Sequence, residues 1–111
     1  MKAIDPLTGK AAWEVPVEAA NWSSMIVTAG GLIFTGSAVG EFFALDAETG
    51  ERVWQFQTSS GINGNPITWS HNGRQYVTVL SGIGGVTRRF SNNAAANVPA
   101  GGSVWTFALP R

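Results

Sequence analysis

Two carboxylates, Asp46 and Glu48, stand close together in the stretch ALDAETGERVW, Ala44 to Trp54. Such a pair is a candidate for general acid–base work. An earlier version of the same stretch, however, occurs as AIDPLTGKAAW, Ala3 to Trp13. Both fit A-x-D-x-x-T-G-x-x-x-W, so Asp46 recurs as Asp5. A residue that recurs with its repeat points to a structural job in each unit rather than to an active site. Asp5 or Asp46 can accept hydrogen bonds from the backbone N–H groups that follow, and Gly9 or Gly50 can take positive φ, so these residues suit a tight turn. Ala3 and Ala44 are small where something large must approach. Trp13 and Trp54 bring a large flat surface and one indole N–H that wants a partner when buried. The pattern predicts that the Trp of one unit docks on its neighbour's turn.

Other constellations carry less chemistry. His71 sits in the turn-like SHNG; with no Cys and no second His it cannot build a zinc site, and a Ser-His-Asp triad would have to rely on that one side chain. GGLIFTG and GIGG do not match G-x-G-x-x-G and open no helix, so phosphate binding is unsupported. C-x-x-C-H is absent, which excludes covalent haem on these residues. Seven basic and seven acidic residues give zero formal net charge, and Arg88-Arg89 is too short for the basic stripe that nucleic acid requires. No apolar run approaches the roughly 20 residues of a membrane-spanning helix. The opening MKAIDPLTGK is no signal peptide, so the chain by itself is expected to stay in the cytoplasm.

The elements that must hold these residues are short and strand-like. Ser24–Ala29, Leu32–Ser37, Glu41–Ala47 and Arg52–Gln57 are β-branched or aromatic runs bounded by Gly30-Gly31, Val39-Gly40 and Glu48-Thr49-Gly50. Four strands joined by tight turns make an antiparallel meander, the unit of a propeller blade. A period of about 41 residues fits that unit. Farther on, Asn65–Ser70, a turn at His71-Asn72-Gly73 and Arg74–Gly82 form a hairpin. A long irregular segment follows, and Ser103–Pro110 returns as a strand with Trp105, Phe107 and Leu109 on one face. No capped helical pattern occurs.

The expected fold is therefore all-β, a partial β-propeller of four-stranded antiparallel blades. Residues 1–17 supply the outer two strands of one blade and 22–60 a complete blade. Residues 61–111 supply a three-stranded blade with a long loop at 83–102. A propeller closes with roughly 4 to 8 blades, so the chain is expected to be a piece with unpaired sheet edges, a liability for aggregation or swapping.

The two motif copies resemble the tryptophan-docking motif of the eight-bladed propellers in pyrroloquinoline quinone (PQQ)-dependent alcohol dehydrogenases. NWSSMIVTAGGLIFTGSAVGEFFALDAETGERVWQF, SGINGNPITWSHNGRQYVTVLSGIGG and AGGSVWTFALP together are similar to the C-terminal part of the methanol/ethanol dehydrogenase large subunit, over essentially all 111 residues. The stretch VTRRFSNNAAAN, Val86 to Asn97, departs from the aromatic or Gly-Trp-Pro-type sequence often found there.

The resemblance implies a periplasmic oxidoreductase that oxidises primary alcohols and passes electrons to a cytochrome c-type acceptor. PQQ would lie near the propeller axis with Ca²⁺ or a lanthanide polarising its C5 carbonyl, the metal acting as Lewis acid beside a carboxylate base. The metal ligands and the catalytic Asp belong to earlier blades of the family, so the chain alone is expected to lack catalysis. Its partners would be the missing blades or another copy of itself. Trp22 matches the family position whose Trp contacts the PQQ edge; Asn21 and Ser23 flank it and could bond the cofactor. Its plainer role is to plug a gap between blades. Gly82, Gly84 and Gly85 would lie near the substrate funnel, or serve as a turn needing positive φ. The alternative is a non-catalytic PQQ-type repeat propeller that acts as scaffold or binding module.

Overall fold

The computed structural model describes residues 1–16, 23–82, 99 and 101–110. The described residues form nine strands and no helix. β1 (Lys2–Ile4) and β2 (Ala11–Glu14) make a first sheet. β3 (Ile26–Val27), β4 (Leu32–Gly36), β5 (Glu41–Asp46) and β6 (Arg52–Gln57) follow as a meander in the second. β7 (Ile67–His71), β8 (Arg74–Ser81) and β9 (Ser103–Ala108) make the third. Every pairing is antiparallel.

Hydrophobic runs in the second sheet explain its place between the other two. LIFTG and EFFALD are buried almost without a break, which requires cover on both faces. On one face Ile33, Phe43 and Leu45 pack under Met1 and Trp13 of the first sheet. On the other, Phe34, Phe42 and Ala44 meet Val77, Val79, Trp105 and Phe107 of the third. The register agrees, since Ile33 lies opposite Leu45 and Phe34 opposite Ala44, and neighbours along a strand point to opposite faces. β9 alternates instead, with Trp105, Phe107 and Leu109 half-buried and Val104, Thr106 and Ala108 exposed. That is the pattern of a sheet covered on one side only.

Several boundaries move from the expected positions. The run from Ser24 to Ala29 pairs only at Ile26 and Val27, because Ser24 turns its carbonyl to the Thr35 hydroxyl instead. β7 starts at Ile67, after Pro66, which has no N–H for a ladder. His71 belongs to this strand, opposite Arg74, rather than to the turn. Asn72 and Gly73 alone make the turn, with φ of 50° and 73°. Two positive φ values in sequence mark the type I′ geometry that matches strand twist.

The antiparallel order gathers two ends. At one lie Ser23-Ser24, Gly36 to Gly40, Gln57 to Ile62, Ser81-Gly82 and Gly101 to Ser103, tied by Ile62 N to Ser37 O at 2.9 Å and Gly82 N to Gly61 O at 2.8 Å. At the other lie the turns at Asp46–Gly50 and Asn72-Gly73.

Candidate functional site

Both motif copies build the same turn from the same bonds. Asp5 Oδ1 accepts Leu7 N at 2.8 Å, and Asp46 Oδ1 accepts Glu48 N at 2.8 Å and Thr49 N at 3.2 Å. The Thr hydroxyls accept Lys10 N and Glu51 N. Gly9 and Gly50 have φ of 72° and 74°, and each donates its N–H to its Asp carbonyl at 2.8 Å. The Asp46 carboxylate is thus engaged in its own turn, and among the described residues nothing holds Glu48 beside it as a second working carboxylate.

Each motif Ala faces its Trp across the hairpin, Ala3 opposite Trp13 and Ala44 opposite Trp54. A small residue there leaves room for an indole to lie over the strand pair. Trp13 reaches the second sheet, where Nε1 donates to Ala47 O at 2.9 Å. Its ring lies so close to Gly50 that an added Cβ would stand 2.5 Å from Trp13 Cδ2. Glycine at position 50 therefore serves twice, for positive φ and for the ring's approach. Trp54 behaves differently: its ring meets Phe107 edge-on at 4.9 Å and Phe42 at 5.9 Å, and its N–H has no acceptor among the described residues. Beside it a cavity of ≈ 360 Å³ is lined by Leu32, Phe34, Ala44, Phe107, Leu109 and Pro110, among others.

The opposite end is built from hydroxyls and close backbone. Ser81 Oγ donates toward Thr58 Oγ1 at 2.7 Å and Ser60 O at 2.8 Å, and it accepts Ser60 N at 3.0 Å. Thr58 Oγ1 in turn reaches Gly40 O at 2.8 Å and Ser60 O at 2.9 Å. Ser60 Oγ donates to Pro99 O. Thr58, Ser60 and Ser81 are all buried, so burying their polar atoms is tolerable because they bond one another and nearby backbone carbonyls. Gly40, at φ 91°, backs directly on Ser60 O, and Gly36 leaves the space that the buried Ile62 fills. Sequence reasoning missed this knot. Its only signal was a Thr/Ser-Gly ending on both strands, TSSG and LSG, which reads like ordinary turn chemistry.

Asn21 and Trp22 lie outside the described residues, as do Gly84, Gly85 and Arg88-Arg89. Their flank Ser23 is buried at the hydroxyl-rich end, with Oγ donating to Ser24 O at 2.9 Å. Gly82 is held there by Gly61, and a Cβ on it would meet Gly101 O at 2.9 Å. His71 is exposed at the far end. No group of three or more His, Cys, Asp or Glu comes together among the described residues, so they do not fit a metal ion. What these residues do is hold strands and turns in place.

The family model for the β-propeller domain of glucose, ethanol and alcohol dehydrogenases that use PQQ matches residues 1–77. The chain belongs to this PQQ-dependent dehydrogenase family. It is 43% identical to the quinoprotein alcohol dehydrogenase PedH of Pseudomonas putida over 114 aligned residues, covering 100% of this chain and 19% of that protein. To the lanthanide-dependent methanol dehydrogenase of Methylorubrum extorquens it is 43% identical over 83 residues, 75% of this chain and 14% of the other. A solved europium-containing methanol dehydrogenase superposes with TM-score 0.84 at 35% identity, over 97% of this chain and 23% of that one. The match falls on the C-terminal region of those large subunits, and the chain spans about a fifth of the length of the curated relatives. Its open sheets are those of a quinoprotein propeller, and the partial β-propeller expected from the repeats is the fold.

Proposed function

We propose that the chain forms the C-terminal part of the propeller of a PQQ-dependent dehydrogenase that oxidises primary alcohols of the methanol/ethanol type, and that it is inactive alone. The observation that carries this reading is the match to quinoprotein alcohol dehydrogenases over the whole chain, joined to a third sheet with an uncovered apolar face. On that face Ile67, Trp69, Leu80 and Val104 are 56%, 42%, 59% and 67% exposed. The corresponding face of the second sheet is covered by the third, so further blades are the natural partners here. A second copy of the chain is the other candidate for the same surface.

In this reading the A-x-D-x-x-T-G-x-x-x-W copies act as docking motifs, supported by the Trp13–Ala47 hydrogen bond. Trp22 and Asn21 contribute to the quinone site, supported by the family match and by the position of the adjoining Ser23 at the hydroxyl-rich end. Ca²⁺ or a lanthanide, the catalytic carboxylate and the docking site for a cytochrome c-type acceptor belong to other blades. Periplasmic location goes with such an enzyme.

The test is a titration of PQQ with Ca²⁺ or La³⁺, followed by alcohol-dependent dye reduction. The chain alone is expected to give no turnover; turnover by it alone would overturn the claim of inactivity. Joined to the other blades it is expected to bind PQQ, and Trp22→Ala is expected to weaken that binding. Undiminished binding by the variant would remove Trp22 from the site.

A further inference from the structure

The β7–β8 hairpin ends in a feature that neither the repeat nor the dehydrogenase reading uses. Its two-residue turn is Asn72-Gly73, closed by the His71–Arg74 pair. Both turn residues and His71 are exposed, and nothing stands within 4 Å of the place where a Gly73 side chain would begin. In a type I′ turn the amide of the second turn residue lies outside the ladder, because the strands pair through the flanking residues. A primary amide thus sits next to a backbone nitrogen that the ladder does not use.

We propose that Asn72 is a site of spontaneous deamidation through a cyclic imide with Gly73. The Gly73 nitrogen attacks the carbonyl carbon (Cγ) of the Asn72 amide, a new N–Cγ bond forms, and the bond from Cγ to the amide nitrogen Nδ2 breaks. The Gly73 N–H proton passes through solvent to the leaving nitrogen, and ammonia departs. Water then opens the imide at either carbonyl, giving aspartate or isoaspartate; no electron is gained or lost overall. Glycine speeds the step because a Cβ at position 73 would crowd the ring as it closes.

The two products differ for the fold. Asp-Gly also suits a type I′ turn, so the aspartate form keeps the hairpin. Isoaspartate puts an extra methylene into the backbone, which a two-residue turn cannot absorb with His71 still opposite Arg74. Either product adds a negative charge beside Arg74, whose Nε donates to Leu109 O at 3.2 Å.

A second Asn-Gly pair in the sequence, Asn63-Gly64, serves as an internal control. Asn63 is exposed too, and a Cβ at Gly64 would likewise meet nothing within 4 Å; the difference is that Gly64 is half-buried, between the buried Ile62 and Pro66, in the connection from β6 to β7 rather than in a two-residue hairpin turn. The full-length protein is incubated in mildly alkaline buffer and mapped by peptide mass spectrometry, with fragmentation to place each conversion and isoaspartate methyltransferase to score that product. Conversion at Asn72 is expected to run ahead of Asn63, and Gly73→Ala is expected to abolish that lead while leaving Asn63 unchanged. In urea, where the turn and the packing are gone, the two sites are expected to convert alike. The proposal is overturned if the folded protein converts Asn63 first, if Gly73→Ala converts at the unaltered rate, or if the lead of Asn72 persists in urea.

Discussion

At the scale of single residues, Gly50 and Gly9 separate two effects that the motif combines. Both sit at positive φ, 74° and 72°, so alanine at either costs about 1–2 kcal/mol in backbone terms. Only Gly50 lies under the Trp13 ring, and forcing a methyl there adds about 1–3 kcal/mol of overpacking. Gly50→Ala is expected to lower the urea midpoint clearly more than Gly9→Ala, with the slope unchanged. Equal midpoints would show that the ring contact contributes nothing. Trp13→Phe keeps a flat ring and removes the N–H that Ala47 accepts; a loss of about 1 kcal/mol is expected by the same measurement. The motif legibly called for a small residue, a turn and a large indole. It did not say that the indole's partners would be Ala47 O and Gly50, because that depends on how one sheet leans on the next.

At the scale of elements, the Thr58–Ser60–Ser81 knot decides how the end of β8 sits against the end of β6. Ser81→Ala removes a hydroxyl that reaches Thr58 Oγ1 and Ser60 O and accepts from Ser60 N. The expected cost is about 1–3 kcal/mol, read as a lower denaturation midpoint and as faster amide exchange at Ser60. Ser59→Ala, at an exposed residue whose hydroxyl meets that of Ser103, is expected to stay within about 0.5 kcal/mol of the parent. A comparable cost for both would deny the knot its role. The strands themselves were legible from alternation and turn residues, including the split faces of β9. Their ends were not, since Ser24 leaves the ladder for the Thr35 hydroxyl, a competition that no periodicity records.

At the scale of the whole molecule, coverage distinguishes the sheets. The inner strands β4 and β5 of the second are buried on both faces, while the third leaves Ile67, Trp69, Leu80 and Val104 in solvent. An apolar face of that kind marks an interaction surface. In light scattering the protein is expected to show concentration-dependent mass, and Leu80→Glu is expected to reduce it by placing a charge on that face. A protein that stays monomeric at all concentrations would set self-association aside and leave further blades as the partner.

The repeat by itself determined the architecture: eleven residues recurring at one blade's interval fix turn, cross-strand pair and antiparallel order, because each of these is a local matter of φ, size and hydrogen bonding. The tail, through resemblance, indicated the quinoprotein dehydrogenases. Tertiary structure alone decided that the two copies are unequal, with Trp13 bonded to Ala47 and Trp54 set among Phe42 and Phe107. It alone joined Thr58 and Ser60, just past the end of β6, to Ser81 at the end of β8, buried hydroxyls that satisfy one another. Local sequence sets what a segment prefers; which distant groups must satisfy one another is settled only when the sheets are stacked.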